Sequence, residues 1–162
     1  MKPFEKTKFI SDWIKNYVST MPKKAESLVI GISGGIDSSV SSTLSALTGI
    51  KTIVLSMPIK QNSSQHDLSL AHQKWLINNY QNVEGHTIEL DDLFKSFEGT
   101  LNNFSSEHGM ANSRARLRMT TLYQVAAANN GIVVGTGNKV EDFGVGFYTK
   151  YGDGGVDISP IA

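Results

Sequence analysis

Ser33-Gly34-Gly35-Ile36-Asp37-Ser38-Ser39 is the run whose residue types and spacing could do chemistry. It follows a short apolar stretch (Leu28, Val29, Ile30 and Ile32) and opens a segment with helical periodicity. A strand, a glycine turn and a helix start turn backbone N–H groups toward an anion. Gly34 and Gly35 can take positive φ and leave no Cβ in a ligand's way. The helix that follows adds unpaired N–H groups and the positive end of its dipole, which suit a phosphate. Ser33, Ser38 and Ser39 offer hydroxyls, and Asp37 offers the carboxylate that a phosphate-bound magnesium takes. No Lys follows the glycines, so this is not the GxxxxGK[ST] phosphate loop. The plainer reading is a capped strand–turn–helix connection without a ligand. The combination of Ser, Gly-Gly, Asp and Ser at one strand end outweighs it.

Three further segments carry chemistry. Asn112-Ser113-Arg114-Ala115-Arg116-Leu117-Arg118-Met119 opens a helix with three arginines. At about 100° per residue, Arg114 and Arg118 share a face and Arg116 points nearly opposite. Cations are poorly placed at a helix N-terminus unless an anion is near, which favours an anionic ligand over solvated side chains. Gly135-Thr136-Gly137-Asn138-Lys139-Val140-Glu141 sets a threonine between glycines, where a nucleotide can approach closely. Glu141 reaches the same magnesium as Asp37 if the two loops are neighbours. Thr149-Lys150-Tyr151-Gly152-Asp153-Gly154-Gly155-Val156-Asp157-Ile158-Ser159-Pro160 is too polar and glycine-rich for a core, and suits a binding loop.

The elements that must position these loops follow from periodicity. Phe9, Ile10, Trp13, Ile14, Tyr17 and Val18 recur at helical spacing up to Pro22 and read as a stripe packed on the domain, with a dimer contact as the second reading. Leu28–Ile32 reads as a strand covered on both faces. The next helix presents Val40, Leu44 and Leu47 on one side and small residues on another, and Gly49 closes it. Lys51–Leu55 is the second strand. Ser64 and Asp67 read as a capping pair for a helix to about Tyr80. Thr87–Leu90 is the expected third strand, and a helix from Asp91 or Asp92 to about Phe104 follows. A long helix from Asn112 to Asn129 leads into a short strand, Ile132-Val133-Val134. Alternating strands and helices predict an α/β fold, a Rossmann-like parallel sheet flanked by helices, with ligands beyond the carboxyl ends of the strands.

Composition narrows the function classes. The 162 residues suit one domain with a real core. Fifteen basic and fifteen acidic residues balance, so nothing implies a nucleic-acid or membrane partner. The absence of cysteine excludes disulfides, thiolate metal sites and a cysteine nucleophile. No apolar run approaches the roughly 20 residues of a membrane span. Glu5, Asp12 and Lys15 interrupt any signal-peptide core, so a soluble cytoplasmic protein is expected. His66, His72, His86 and His108 lack metal spacing and read as surface residues. The sequons at Asn62 and Asn103 read as accidental.

The loop Ser33–Ser38 resembles the signature of the PP-loop ATP pyrophosphatases, whose fold is of the adenine nucleotide alpha hydrolase type. With the arginine helix, Val133–Lys139 and Thr149–Pro160, the chain closely resembles the NAD synthetases, in the family's order and spacing. The resemblance implies ATP-dependent amidation of deamido-NAD with ammonia, through an adenylylated intermediate, releasing AMP and pyrophosphate. It assigns Gly31, Ile32, Ser33, Gly34, Gly35, Ile36, Asp37, Ser38 and Thr136 to ATP. Asp37 and Glu141 fall to magnesium, and Arg116, Lys150 and Asp157 to deamido-NAD. It leaves Arg114, Arg118, Asn138 and Asp153 without a role, and it offers no general base. Glutamine-dependent relatives use a cysteine nucleophile in an added domain, so free ammonia is the expected nitrogen donor. The resemblance also implies a homodimer. Relatives continue past Ala162, so residues 1–162 read as a single synthetase domain lacking the family's C-terminal segment.

Two rivals remain at this point. A GMP synthetase-like amidotransferase would share Ser33–Ser38 but not Thr149–Asp157. A truncated nucleotide-binding or dimerisation module would bind without turnover.

Overall fold

A computed structural model describes residues 2–60 and 63–162. The Asn62 sequon lies outside the described residues. Four strands form one parallel sheet: β1 (Ser27–Gly31), β2 (Lys51–Ser56), β3 (Val83–Thr87) and β4 (Gly131–Val133), in the order β3-β2-β1-β4. Five α-helices flank it: α1 (Pro3–Thr20), α2 (Ile36–Leu47), α3 (Ser63–Asn79), α4 (Asp91–Thr100) and α5 (Glu107–Ala128).

Strand side chains alternate between two apolar layers. Leu28, Ile30, Val54 and Ile132 pack with Ile14 and Val18 of α1, Leu44 of α2 and Leu76 of α3. On the other face Val29, Ile53, Leu55 and Val133 pack with Phe94 of α4 and Met119, Leu122 and Ala126 of α5. Burial on both faces is why β1 and β2 read as unbroken apolar runs.

The strand order directs the site. The chain leaves β1 to build β2 on one side and returns as β4 on the other. A crevice opens where neighbouring connections diverge, beyond the carboxyl ends of β1 and β4. The loops that begin at Ile32 and Gly135 both emerge there.

Several expectations need correction. The third strand is Val83–Thr87, not Thr87–Leu90. As the sheet's edge it buries only Val83, so Glu84, His86 and Thr87 face outward and leave no apolar pattern. Helix α5 starts at Glu107, five residues ahead of Asn112, because the Ser106 hydroxyl accepts the Gly109 N–H at 3.0 Å and caps it. Helix α3 starts at Ser63, so Ser64 lies inside its first turn rather than at its cap. In α1 only Ile14 and Val18 of the aromatic stripe are buried, while Phe9, Trp13 and Tyr17 face out. In α2 the buried face is Ser38, Ser41, Ser42, Leu44, Ser45 and Ala46, and Val40 and Leu47 are exposed. Small side chains let α2 approach the sheet closely.

That close approach has a cost. Ser41 is fully buried and its Oγ has no hydrogen-bond partner among the described residues. An unsatisfied buried hydroxyl costs on the order of 1–3 kcal/mol. Ser41→Ala is therefore expected to raise unfolding stability by about 1 kcal/mol in a denaturant titration. A loss of stability would contradict it.

Candidate functional site

The glycine loop is held by backbone geometry and by its own hydroxyls. Gly34 has φ of +90°, and a Cβ there would strike the Gln65 carbonyl and come within 3.2 Å of the Ser69 nitrogen in α3. Only glycine fits under that helix turn. The Ser38 hydroxyl donates to the Gly35 carbonyl at 3.0 Å and accepts the Ser33 N–H at 3.2 Å. Gly35 is the N-cap of α2 and supplies no side-chain cap, so the first N–H groups of α2 stay available to a ligand. The Ile36 side chain is 75% exposed, which leaves only its backbone to serve such a ligand.

The second loop meets the first through Asn138. Its Nδ2 donates to Asp37 Oδ2 at 3.0 Å, and its Oδ1 accepts the N–H groups of Val140 and Glu141, each at 3.0 Å. These two N–H groups open a π-helical turn, Val140–Val145. Within it Glu141 is exposed, whereas the half-buried Asp142 carboxylate folds back over Gly137. A Cβ on Gly137 would lie 2.7 Å from Asp142 Cγ, so a side chain there would displace that carboxylate. Burial raises the Asp142 pKa, and the negative charges of Asp153, Glu141 and Asp37 raise it further. Asp142, which the sequence did not single out, is thus the acid of this turn that folds inward, while Glu141 stays exposed. Only the register of the turn could have separated two adjacent acids. Among the described residues no cluster of three or more His, Cys, Asp or Glu side chains is placed to hold a metal.

A cavity of about 430 Å³ opens between the loops. Gly31, Ile32, Ser33, Ser38 and Thr136 line it, with Met57, Leu122 and Val134 as apolar walls. Arg118 also lines it, and its Nε donates to the Met57 carbonyl at 2.9 Å. Burial presses the Arg118 pKa down and so does the like charge of Arg114, while Asp91 opposes them. Arg114 lies over the Phe94 ring at 5.7 Å, so these two arginines serve the α4 side of α5.

Arg116 turns the other way, as its spacing predicts, and its Nε donates to the Lys150 carbonyl at 3.1 Å. The whole glycine-rich loop is strapped along α5. Thr149 Oγ1 donates to Asn112 Oδ1 at 2.7 Å, and Tyr123 OH bonds the Gly155 carbonyl at 2.9 Å and Asp157 Oδ1 at 3.1 Å. Asp157 Oδ2 accepts the Val133 N–H at 2.7 Å, so both Asp157 oxygens anchor the loop to the body. Lys150 Nζ lies 5.0 Å from the Tyr151 ring. Arg116, Lys150 and Asp157 do not line the main cavity. Nor do they line a second, open groove of about 580 Å³, but Lys150 and Asp157 contact its wall residues Tyr151 and Tyr123. Met119 borders both spaces. Two of the histidines depart from the surface reading. His72 is half-buried, with its Nε2 2.9 Å from Ser42 Oγ, and His66 has a buried Nδ1.

Comparison with known proteins agrees with this architecture. The sequence profile of the NAD synthase family matches residues 6–162. The chain belongs to the NAD synthase family. It is 39% identical to the NH(3)-dependent NAD(+) synthetase of Staphylothermus marinus over 98% of its own length and 57% of that relative's. The chain thus spans little more than half of that curated relative. Among solved structures, the NMN synthetase of Francisella tularensis superposes with a TM-score of 0.89 at 35% identity, covering 100% of this chain and 65% of that one. An NH3-dependent NAD synthetase from Campylobacter jejuni, solved with a nitrate ion, gives 0.87 at 30% identity over 100% and 68%. NAD synthase membership favours this branch over the GMP synthetase-like reading. No described helix is long and apolar enough to cross a membrane.

Two outcomes test the local electrostatics. Burial, with the charge of Asp157 and the hydrogen bond to it, pushes the Tyr123 hydroxyl up to about 12. Spectrophotometric titration of Tyr123→Phe should therefore lack one late-ionising phenol, and an unchanged late phase would contradict the anchor. For Asp142, a raised pKa means that the folded state holds its proton more tightly than the unfolded state, so stability falls as pH rises through that pKa. Asp142→Asn should raise the thermal midpoint at neutral pH, and the gain should vanish where carboxylates are protonated in both states. A gain that persists in acid would rule out charge crowding as its cause.

Proposed function

We propose that this chain binds ATP in the cavity beyond β1 and β4 and activates the nicotinate carboxylate of deamido-NAD for amidation by ammonia. The observation that carries the reading is the convergence of Ser33, Ser38 and Thr136 on one cavity, beside the N-terminus of α2 that no side chain caps. The triphosphate lies against the N–H groups that open α2 and the hydroxyls of Ser33 and Ser38. The adenosine half takes the apolar walls near Met57 and Leu122.

A carboxylate oxygen attacks the α-phosphorus, the bond to pyrophosphate breaks, and the acyl adenylate forms. Ammonia then attacks the carbonyl carbon, AMP leaves with the bonding pair, and the nitrogen sheds one proton. Fixed N–H donors stabilise the charge that builds on the transferring phosphate, and no covalent enzyme nucleophile is required.

The acids fit magnesium. Asn138 ties Asp37 to the turn that carries Glu141 and Asp142, so carboxylate oxygens from both loops are available to a cation. Magnesium bound to nucleotide phosphates takes only one or two protein carboxylates, so a three-ligand protein cluster is not needed. When bound, the ion would neutralise charge on the phosphates as they separate.

Arg116 and Lys150 offer cations beside the open groove, where the anionic nicotinate nucleotide would lie. Asp157 contributes by holding this loop and by any oxygen lone pair left to the substrate. The reading carries a homodimer and a cytoplasmic setting with it. The exposed Phe9, Trp13 and Tyr17 of α1 support a protein contact. A second substrate deserves equal testing, the mononucleotide counterpart. The 35% identical Francisella tularensis structure is named NMN synthetase, so its product lacks the adenylate half.

The experiment supplies ATP, magnesium and ammonium with deamido-NAD or with nicotinate mononucleotide, and resolves AMP, NAD and NMN by chromatography. AMP with NAD supports the main reading, and AMP with NMN supports the second. AMP in neither would leave a binding module. Asp37→Asn is expected to lower the rate by about 10²–10³-fold, and an unchanged rate would remove Asp37 from the metal site.

A further inference from the structure

Among the described residues, Asn138 hydrogen-bonds both Asp37 and the Val140–Val145 turn. A side chain that merely caps a helical turn needs an acceptor oxygen, which Ser, Thr or Asp supplies equally well. Asn138 uses Oδ1 for that purpose, on Val140 and Glu141. Its other end does something a cap does not require. Nδ2 donates to Asp37 Oδ2 at 3.0 Å, across 101 positions of sequence, in a half-buried setting. A hydrogen bond to a charged acceptor is among the stronger ones available.

Asp37 and the acids of the turn carry charges of the same sign, so nothing in their own chemistry holds the two loops together. A neutral group with a donor at one end and acceptor at the other can bring two acidic elements together without adding charge. Aspartate cannot donate, and serine is too short to span both contacts.

We infer that Asn138 is a positioning residue that holds the Asp37 carboxylate toward the Val140–Val145 turn, so that the acids are in place before magnesium and nucleotide bind. This rests on the proposed ATP-binding reading and adds to it a residue that touches neither substrate nor the reacting atoms. It acts through Asp37. Partners of this kind typically change metal affinity by about 10–100-fold when removed.

The test is calorimetric titration of the full chain with a non-hydrolysable ATP analogue, once with magnesium and once with EDTA. Wild type is compared with Asn138→Ser and Asn138→Thr, which keep a capping oxygen and lose the donor to Asp37. The expected result is a magnesium-dependent gain in affinity about tenfold smaller in both variants. Metal-free affinity and the thermal midpoint should stay close to wild type. A magnesium-dependent gain equal to wild type in both variants would overturn the inference. Equal weakening with and without magnesium, or loss of the native fold in both, would make Asn138 a structural cap and overturn it as well. A wild type that binds the analogue without any magnesium-dependent gain would count against the proposed metal site, and the inference would fall with it.

Discussion

The parallel pairing of β1 with β4 is the constraint on which the rest of the molecule depends. Ser27, Leu28 and Val29 register with Gly131, Ile132 and Val133, strands that lie a hundred residues apart in sequence. That register fixes where β1 and β4 end, and therefore where the two loops begin. The glycine turn at Ser33–Ser38 and the acidic turn at Val140–Val145 meet only because the sheet delivers both to one edge. Asn138 bonds across that meeting, with one end on each side.

Helix α5 does the complementary work on the opposite face of the sheet. Its inner stripe, Met119, Leu122 and Ala126, closes the core under the cavity. Its outer residues, from Asn112 through Arg116 to Tyr123, receive the glycine-rich loop one contact after another. A loop so rich in glycine has a high conformational entropy to lose on ordering. The hydrogen bonds to α5 and the two anchors on Asp157 offset that loss. Packing and binding geometry are thus two sides of one helix.

Much of this is legible in particular residues. The apolar runs Leu28–Ile32 and Lys51–Leu55 announce strands buried on both sides, and Gly34 announces a turn that only glycine can make. The division of Arg114 and Arg118 from Arg116 follows from helical geometry alone. The edge strand Val83–Thr87 was not legible, because a strand with one buried residue carries no pattern. Which part of the α1 stripe is buried was not legible either, since periodicity cannot tell the side that meets the sheet, Ile14 and Val18, from the aromatic side next to it. Which of the adjacent acids Glu141 and Asp142 folds back over Gly137 was not legible, because the two differ only in the direction the turn gives them.

The sequence by itself determined the local chemistry: a glycine turn with hydroxyls and a carboxylate, a parallel α/β order of elements, and the family to which they belong. These are properties of short segments, set by backbone sterics, periodicity and residue type. Only the tertiary structure decided which groups converge. The Asp37–Asn138 contact, the crowding of Asp142 by Asp37 and Asp153, and the use of both Asp157 oxygens as anchors all join residues distant in sequence. Such contacts depend on strand register and helix orientation, which arise from the whole core at once, and no single segment encodes them.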